Sequence, residues 1–211
     1  MKREPSHSLS WVKPNYGSTS GVDEDPRETI RITPLEFVGL NPRNENEHPS
    51  LKRLIGTSAP MCALVASITR ASYHDYPVLI RGETGTGKSV VGQAIHECSA
   101  RTKKRLVKIN ASCFLDGTAE SQLFGHERGA FTGATDRRIG SFEAAHGSTL
   151  FFDEIAEMPL TLQAKLLTAL DDKAYPRLGS NTPVQYDARI IYATNRDLEQ
   201  MVRVGTFRAD L

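Results

Sequence analysis

From about residue 51 the chain alternates between two hydrophobic rhythms. Apolar residues recur near helical spacing over 59–73 (Met61, Leu64, Val65, Ile68), with Ser58 as a candidate N-cap and Pro60 in the first turn, which predicts a helix. Short unbroken apolar runs follow: Val78-Leu79-Ile80 within 77–81, the stretch 106–110, Thr149-Leu150-Phe151-Phe152 ending at Asp153, and 189–194. Runs of that length without alternation suit strands buried on both faces. The helical rhythm returns from residue 88 to about Ala100, over 119–124, over 159–172 (Leu160, Leu162, Leu166, Leu167, Leu170) and over 198–204. Strands separated by helices predict an α/β fold, a parallel sheet between helices. Ligands of such sheets sit at the carboxyl ends of the strands, which places 82–89, Asn110, Asp153, Glu154, Thr194 and Asn195 along one edge.

Residues 1–50 break this rhythm. They hold six Lys or Arg against eight Asp or Glu, with scattered Pro, Ser and Asn and no sustained periodicity. A segment this polar is expected to be poorly ordered, with Ile30 to Leu40 as a stretch able to dock in extended form and Trp11 as an incidental aromatic or, alternatively, an interaction anchor. The globular domain is expected over 51–211. A net charge of +1 argues neither for nor against a polyanionic partner. Cys62, Cys98 and Cys113 lack C-x-x-C spacing, and no His pairs with a Cys or another His at metal-ligand spacing. Reduced thiols in a soluble, cytoplasmic protein are the expectation, with no zinc site. No apolar run reaches membrane-spanning length, and no apolar signal core follows Met1.

The chemistry begins directly after Val78-Leu79-Ile80. The run Gly82, Glu83, Thr84, Gly85, Thr86, Gly87, Lys88, Ser89 fits the phosphate-binding pattern G-x-x-x-x-G-K-[ST] at every fixed position. Its glycines permit a backbone that converges N–H groups on phosphate, Lys88 offers a full positive charge, and the Ser89 hydroxyl is a Mg²⁺ ligand. The helix that starts there adds its positive end. A second part of such a site is a carboxylate on a buried strand, and the run ending at Asp153-Glu154 supplies two. Paired acids are costly there unless they face a cation or a polar cleft. Asp153 suits Mg²⁺ and Glu154 the polarisation of water; the alternative is that both open a solvated loop.

The segment Leu123-Phe124-Gly125-His126-Glu127-Arg128-Gly129-Ala130-Phe131-Thr132-Gly133-Ala134 narrows the class. LFGHE followed by GAFTGA resembles the bacterial enhancer-binding proteins, the AAA+ ATPases that activate sigma-54 RNA polymerase. The resemblance runs from Leu54 to Leu211, through LFFDEI, LQAKLL at 162–167, RLG at 177–179, ATNRDL at 193–198 and FRADL at 207–211. It implies a P-loop NTPase fold of the AAA+ kind that binds ATP and Mg²⁺, acts as a homo-oligomer and engages the sigma-54 RNA polymerase holoenzyme. It further implies that Ile55 and Gly56 join 82–89 in holding nucleotide, and that Ser89 and Asp153 hold the metal. Glu154 would activate water, Asn110 would hold that glutamate, and Thr194 and Asn195 would sense the γ-phosphate. Gly129, Ala130, Phe131, Thr132, Gly133 and Ala134 would touch the sigma factor, with Phe131 and Thr132 as contacts. Arg208 would reach a neighbour's nucleotide.

The chain departs from the family pattern in places. The second family arginine would fall just beyond Leu211, and neither the helical lid nor a DNA-binding helix-turn-helix lies within 1–211. Ser89 replaces an acidic residue, and Ser148 replaces a glycine. The expectation is that this truncation weakens hydrolysis and ring assembly. Two other classes compete with an ATP-driven remodeller: a nucleotide-binding module with little turnover, and a small-molecule kinase. The kinase leaves Asn110, GAFTGA and FRADL without explanation.

Overall fold

The computed structural model describes residues 30–31, 48–114 and 117–211. The expectations for Trp11, and for 1–50 apart from Ile30–Arg31 and 48–50, lie outside the described residues. In chain order the elements are β1 (Ile30–Arg31), α1 (Ala59–Ser72), β2 (Val78–Arg81), α2 (Lys88–Glu97), β3 (Val107–Asn110), α3 (Ala119–Phe124), β4 (Gly125–His126) and β5 (Arg138–Ile139). They continue with α4 (Ser141–Ala144), β6 (Ser148–Asp153), α5 (Leu160–Asp172), β7 (Ala174–Pro176), β8 (Pro183–Gln185), β9 (Ala188–Thr194) and α6 (Leu198–Arg203). The chain divides into two compact units. One holds the described residues up to Thr102 with Ile191–Arg196; the other holds Lys103–Ile190 with Asp197–Leu211.

In the first unit the strand order is β1-β2-β9, all parallel. Ile30 and Arg31 pair with Val78 and Leu79, so part of the stretch expected to dock in extended form does so. β2 pairs with β9 from Val78 opposite Ile191 to Arg81 opposite Thr194. Helix α1 starts behind Ser58, whose backbone is extended but whose hydroxyl makes no capping bond, and Pro60 in the first turn costs no intrahelical hydrogen bond. It buries Leu64, Val65, Ile68 and Ala71, one stripe at helical spacing, and packs on α2. α2 returns Val91, Ala94 and Ile95 to the same core and stops at Glu97, short of Ala100.

The second unit is built on β3 and β6, paired in parallel from Val107 opposite Leu150 to Asn110 opposite Asp153. β9, whose first three residues belong here, stands next to β6. Thr149, Leu150, Phe151 and Phe152 are all buried, as expected of a strand covered on both faces. The short helix α4 and the antiparallel pair β7 and β8, neither foreseen from the sequence, together close an aromatic core. Phe142 of α4 sits at its centre, with ring centroids 5.6 Å from Phe124, 6.2 Å from Phe152, 5.5 Å from Tyr175 and 4.7 Å from Tyr186. Each such pair adds about 0.5–1.5 kcal/mol beyond burial. Helix α5 buries Leu162, Gln163, Leu166 and Ala169, whereas Leu160 is exposed, so the buried stripe is rotated from the leucine spacing. No described helix is long and apolar enough to cross a membrane.

Burial, reinforced by nearby Glu143, pushes the Tyr175 phenol up to about 12, and burial with Tyr175 beside it raises Tyr186 as well. Both protons are held more tightly in the folded chain than in the unfolded one. The stability they contribute is complete below the unfolded value of about 10 and is lost as pH rises through about 12. Urea midpoints are therefore expected to fall across that alkaline window. Replacing both tyrosines by Phe should flatten the limb, and an unchanged limb would count against the buried phenols.

Candidate functional site

The loop between β2 and α2 takes its shape from two glycines. Gly85 and Gly87 lie at φ +82° and +88°, where a side chain is strained, and a Cβ on either would meet nothing within 4 Å. The demand is conformational, and the space above the loop is open. Thr86 folds the loop on itself, its N–H and hydroxyl both donating to the Glu83 carbonyl at 3.3 and 2.8 Å. α2 begins with no side-chain cap and no acid in its first turn, so nothing of that kind offsets its positive end. Lys88 is buried with its ammonium arched back over the loop, donating to the carbonyls of Gly82 at 3.0 Å and Glu83 at 3.2 Å. Backbone dipoles, a helix terminus and an ammonium at one loop fit a polyphosphate.

The end of β9 is bound to that loop within the same unit. Gly82 N–H donates to the Thr194 carbonyl at 3.2 Å, and the Asn195 amide donates to the Thr84 hydroxyl at 2.9 Å. Thr194 is fully buried and its hydroxyl accepts from Arg196 N–H at 3.1 Å, which fixes the turn out of the strand. A change at the loop therefore reaches Asn195 through one hydrogen bond. Upstream, Gly56 stands at φ +139° against Met61, and Ile55 beside it is 87% exposed, an apolar surface suited to the flat face of a base.

In the second unit β6 delivers Asp153, and the next residue turns sharply. Glu154 has φ +52°, a left-handed conformation that costs a non-glycine residue about 1–2 kcal/mol. It opens the 3₁₀ turn Ile155–Glu157, and both acids keep partial exposure. Asn110 lies opposite Asp153 in register, but its side-chain oxygen accepts from Ser112 N–H at 3.0 Å and from the Ser112 hydroxyl, capping the next 3₁₀ turn. Among the described residues, no group of three or more His, Cys, Asp or Glu is placed to hold a metal ion. Mg²⁺ is typically bound through one or two carboxylates together with phosphate oxygens and waters, and in this unit Asp153 is a partly exposed carboxylate of that kind.

The Gly-rich segment forms a closed turn on the antiparallel base of β4 and β5. Gly129 N–H donates to the Ala134 carbonyl at 2.8 Å, and Ala134 N–H donates to that of Phe131 at 3.0 Å. Ala134 is buried beneath the turn, while Phe131, Thr132 and Gly133 form its exposed crest, with Phe131 46% exposed. The Phe131 ring stands edge-on to His126 at 5.0 Å, and His126 Nδ1 is 2.6 Å from the buried Ser121 hydroxyl.

The RLG run at 177–179, which carries no local signal of its role, packs against the Gly-rich turn. Arg177 makes ion pairs with Glu127 at 3.0 Å and Glu143 at 2.8 Å. Leu178 exchanges backbone hydrogen bonds with the β4 region, accepting from Glu127 N–H at 3.0 Å and donating to the Gly125 carbonyl at 3.1 Å. Gly179, at φ +77°, leaves no room for a Cβ, which would stand 2.8 Å from that of Ala130. These partners lie between 34 and 53 positions apart in sequence, beyond any local signal. Near the C-terminus, Arg208 forms a two-point pair with Asp210 at 2.9 and 2.6 Å.

Comparison with known proteins decides the family, because the sigma-54 interaction domain model matches residues 54–211. The chain belongs to the sigma-54 interaction domain family. Relatives of this sigma-54 interaction domain include the formate hydrogenlyase transcriptional activator FhlA of Escherichia coli, 47% identical over 176 residues, 83% of this chain and 25% of the relative. The anaerobic nitric oxide reductase transcription regulator NorR of Klebsiella pneumoniae is 45% identical over 181 residues, 86% of this chain and 35% of the relative. The crystal structure of NtrX from Brucella abortus matches with a TM-score of 0.70 at 37% identity, covering 76% of this chain and 36% of that one. NtrX in complex with ATP matches at 0.69 and 38% identity, covering 74% and 35%. The chain thus spans between a quarter and a little over a third of the length of these proteins. Its α/β fold with a parallel sheet is that of the AAA+ P-loop NTPase domains of sigma-54 activators.

The contact of Gly179 with Ala130 gives this sigma-54 interaction domain a testable weakness. Gly179→Ala must displace the 129–134 turn, and overpacking of this kind costs roughly 1–3 kcal/mol. A lower urea midpoint and faster tryptic cleavage after the exposed Arg128 are the expected results. Wild-type values for both would mean that Gly179 does not hold the turn.

Proposed function

We propose that this chain binds ATP with Mg²⁺ through 82–89 and, assembled with further copies of itself, hydrolyses it to work the 129–134 turn against sigma-54 RNA polymerase. The observation that carries this reading is the uncapped N-terminus of α2 behind Gly85 and Gly87, with the Lys88 ammonium folded over the same loop. Family membership supports the rest. Lys88 and the loop N–H groups bind the phosphates, and Ile55 with Gly56 flanks the base. Ser89 and Asp153 hold the metal, which when bound draws charge off the phosphate oxygens. Glu154 takes the proton of the attacking water, Asn110 positions it, and the Asn195–Thr84 bond carries the state of the γ-phosphate to the end of β9. Arg208 from a neighbouring copy stabilises the charge that develops in the transition state. The exposed crest of Phe131 and Thr132 meets the sigma factor.

A second reading has one observation in its favour. Asp210 already satisfies the Arg208 guanidinium within its own segment, so a lone copy would bind nucleotide and turn it over slowly. Turnover that rises faster than linearly with protein concentration supports the first reading, and a flat specific activity supports the second.

Lys88→Ala removes a charge-assisted hydrogen bond worth about 1.5–3 kcal/mol, so ATP affinity should fall roughly 10- to 100-fold by calorimetric titration. Glu154→Gln keeps the shape without the base; affinity should hold while turnover drops by about 10²–10⁴. Equal affinity in the lysine variant would remove the loop from the binding site, and unchanged turnover in the glutamine variant would place the base elsewhere.

A further inference from the structure

The run LQAKLL supplies Leu162 and Leu166 to the core, but its second residue is a glutamine, and Gln163 is fully buried. A buried carboxamide is costly unless its groups are paired. Gln163 pairs both ends, using two stretches of chain outside its own helix. Its amide nitrogen donates to the Met158 carbonyl at 2.8 Å and to the Thr206 carbonyl at 3.4 Å. Its oxygen accepts from the backbone N–H of Arg208 at 2.9 Å. Met158 ends the turn that begins at the strained Glu154, because Met158 N–H donates to the Ile155 carbonyl at 3.1 Å. Thr206 and Arg208 lie just past α6, where neither helix nor strand holds the chain and the Phe207 side chain is buried. One side chain thus ties the loop after Glu154 to the segment that carries Arg208.

We infer that Gln163 is a positioning residue for Arg208, fixing its backbone while Asp210 holds its guanidinium in a two-point fork. An arginine that must meet a phosphate on another copy needs a fixed origin. A long side chain on a loose segment gives up binding energy to ordering. Gln163 supplies that origin, and it ties the origin to the loop that also carries Glu154. A methionine of similar length would fill the same space but leave Arg208 N–H and the Met158 carbonyl without this partner. The inference rests on the reading of Arg208 as a group that acts on nucleotide, and the test separates the two.

The test uses the full chain with Gln163→Met, Arg208→Ala and the double variant, followed by hydrogen exchange and ATP turnover. Gln163→Met should speed exchange across 205–211 about tenfold or more, with 88–97 and ATP affinity unchanged. Turnover should fall to near that of Arg208→Ala at similar KM, and the double variant should be no worse than Arg208→Ala alone. Should the methionine variant fail to fold, Gln163→Asn, which keeps a carboxamide one methylene shorter, is read in the same way. Unchanged exchange at 205–211, or a further additive loss of turnover in the double variant, overturns the positioning role. If Arg208→Ala turns over like wild type, the reading of Arg208 itself fails and the positioning role falls with it. Exchange at 205–211 then still reports whether Gln163 holds the segment.

Discussion

A strand covered on both faces has only its ends at which to display polar chemistry, and this constraint organises the domain. All seven residues of β9 are buried, as are the first five of β6. Their apolar runs stabilise the sheet, at about 1.5–3 kcal/mol for each large side chain taken out of water, and leave the solvent-accessible polar residues Asp153, Glu154 and Asn195 at the carboxyl ends. Parallel pairing then aligns those ends within each unit. Arg81, which leads into the loop 82–89, stands opposite Thr194, and Asn110 stands opposite Asp153. An antiparallel arrangement would have sent every second strand's chemistry to the other edge.

The loops that leave these ends are fixed mainly by single side chains reaching across the fold. Asn195 bonds Thr84, Gln163 bonds Arg208 and Met158, and Arg177 clasps Glu127 and Glu143. Exposed ion pairs contribute little, but the Arg177 side chain is only 13% exposed and meets the two carboxylates at 3.0 and 2.8 Å, which favours it over Arg137, 50% exposed and 3.8 and 3.4 Å from the same pair. Each tie joins a segment proposed to sense nucleotide, or to touch a partner, to the rigid strands and helices. Strain collects at the same places: Glu154 is one of two described non-glycine residues with positive φ, and it directly follows Asp153.

Much of this was legible in the sequence, and the division follows distance along the chain. The loop 82–89, the acids Asp153 and Glu154 at the end of β6, the helix Ala119–Phe124 and the strands are signalled by neighbouring residues, and the structure sets the helix and strands within one or two positions of the expected bounds. The clasp of 177–179 on the Gly-rich turn depends on partners dozens of residues away, and no periodicity records it. Helix α4 is one turn long, too short for its rhythm to register, although its Phe142 centres the aromatic core. Leucines misled in one helix. Leu160 faces solvent while Gln163 is buried, since an apolar side chain is under no obligation to be inside, whereas a glutamine with partners on two segments can be.

The nucleotide state at 82–89 is proposed to govern what the 129–134 crest presents. Association of purified sigma-54 with this chain tests it most directly, followed by fluorescence anisotropy without nucleotide, with ADP, and with ADP plus aluminium fluoride as a transition-state analogue. Association is expected only with the analogue, abolished in Thr132→Ala while nucleotide affinity stays at the wild-type value. Equal association in all three states, or undiminished association of Thr132→Ala, would contradict it.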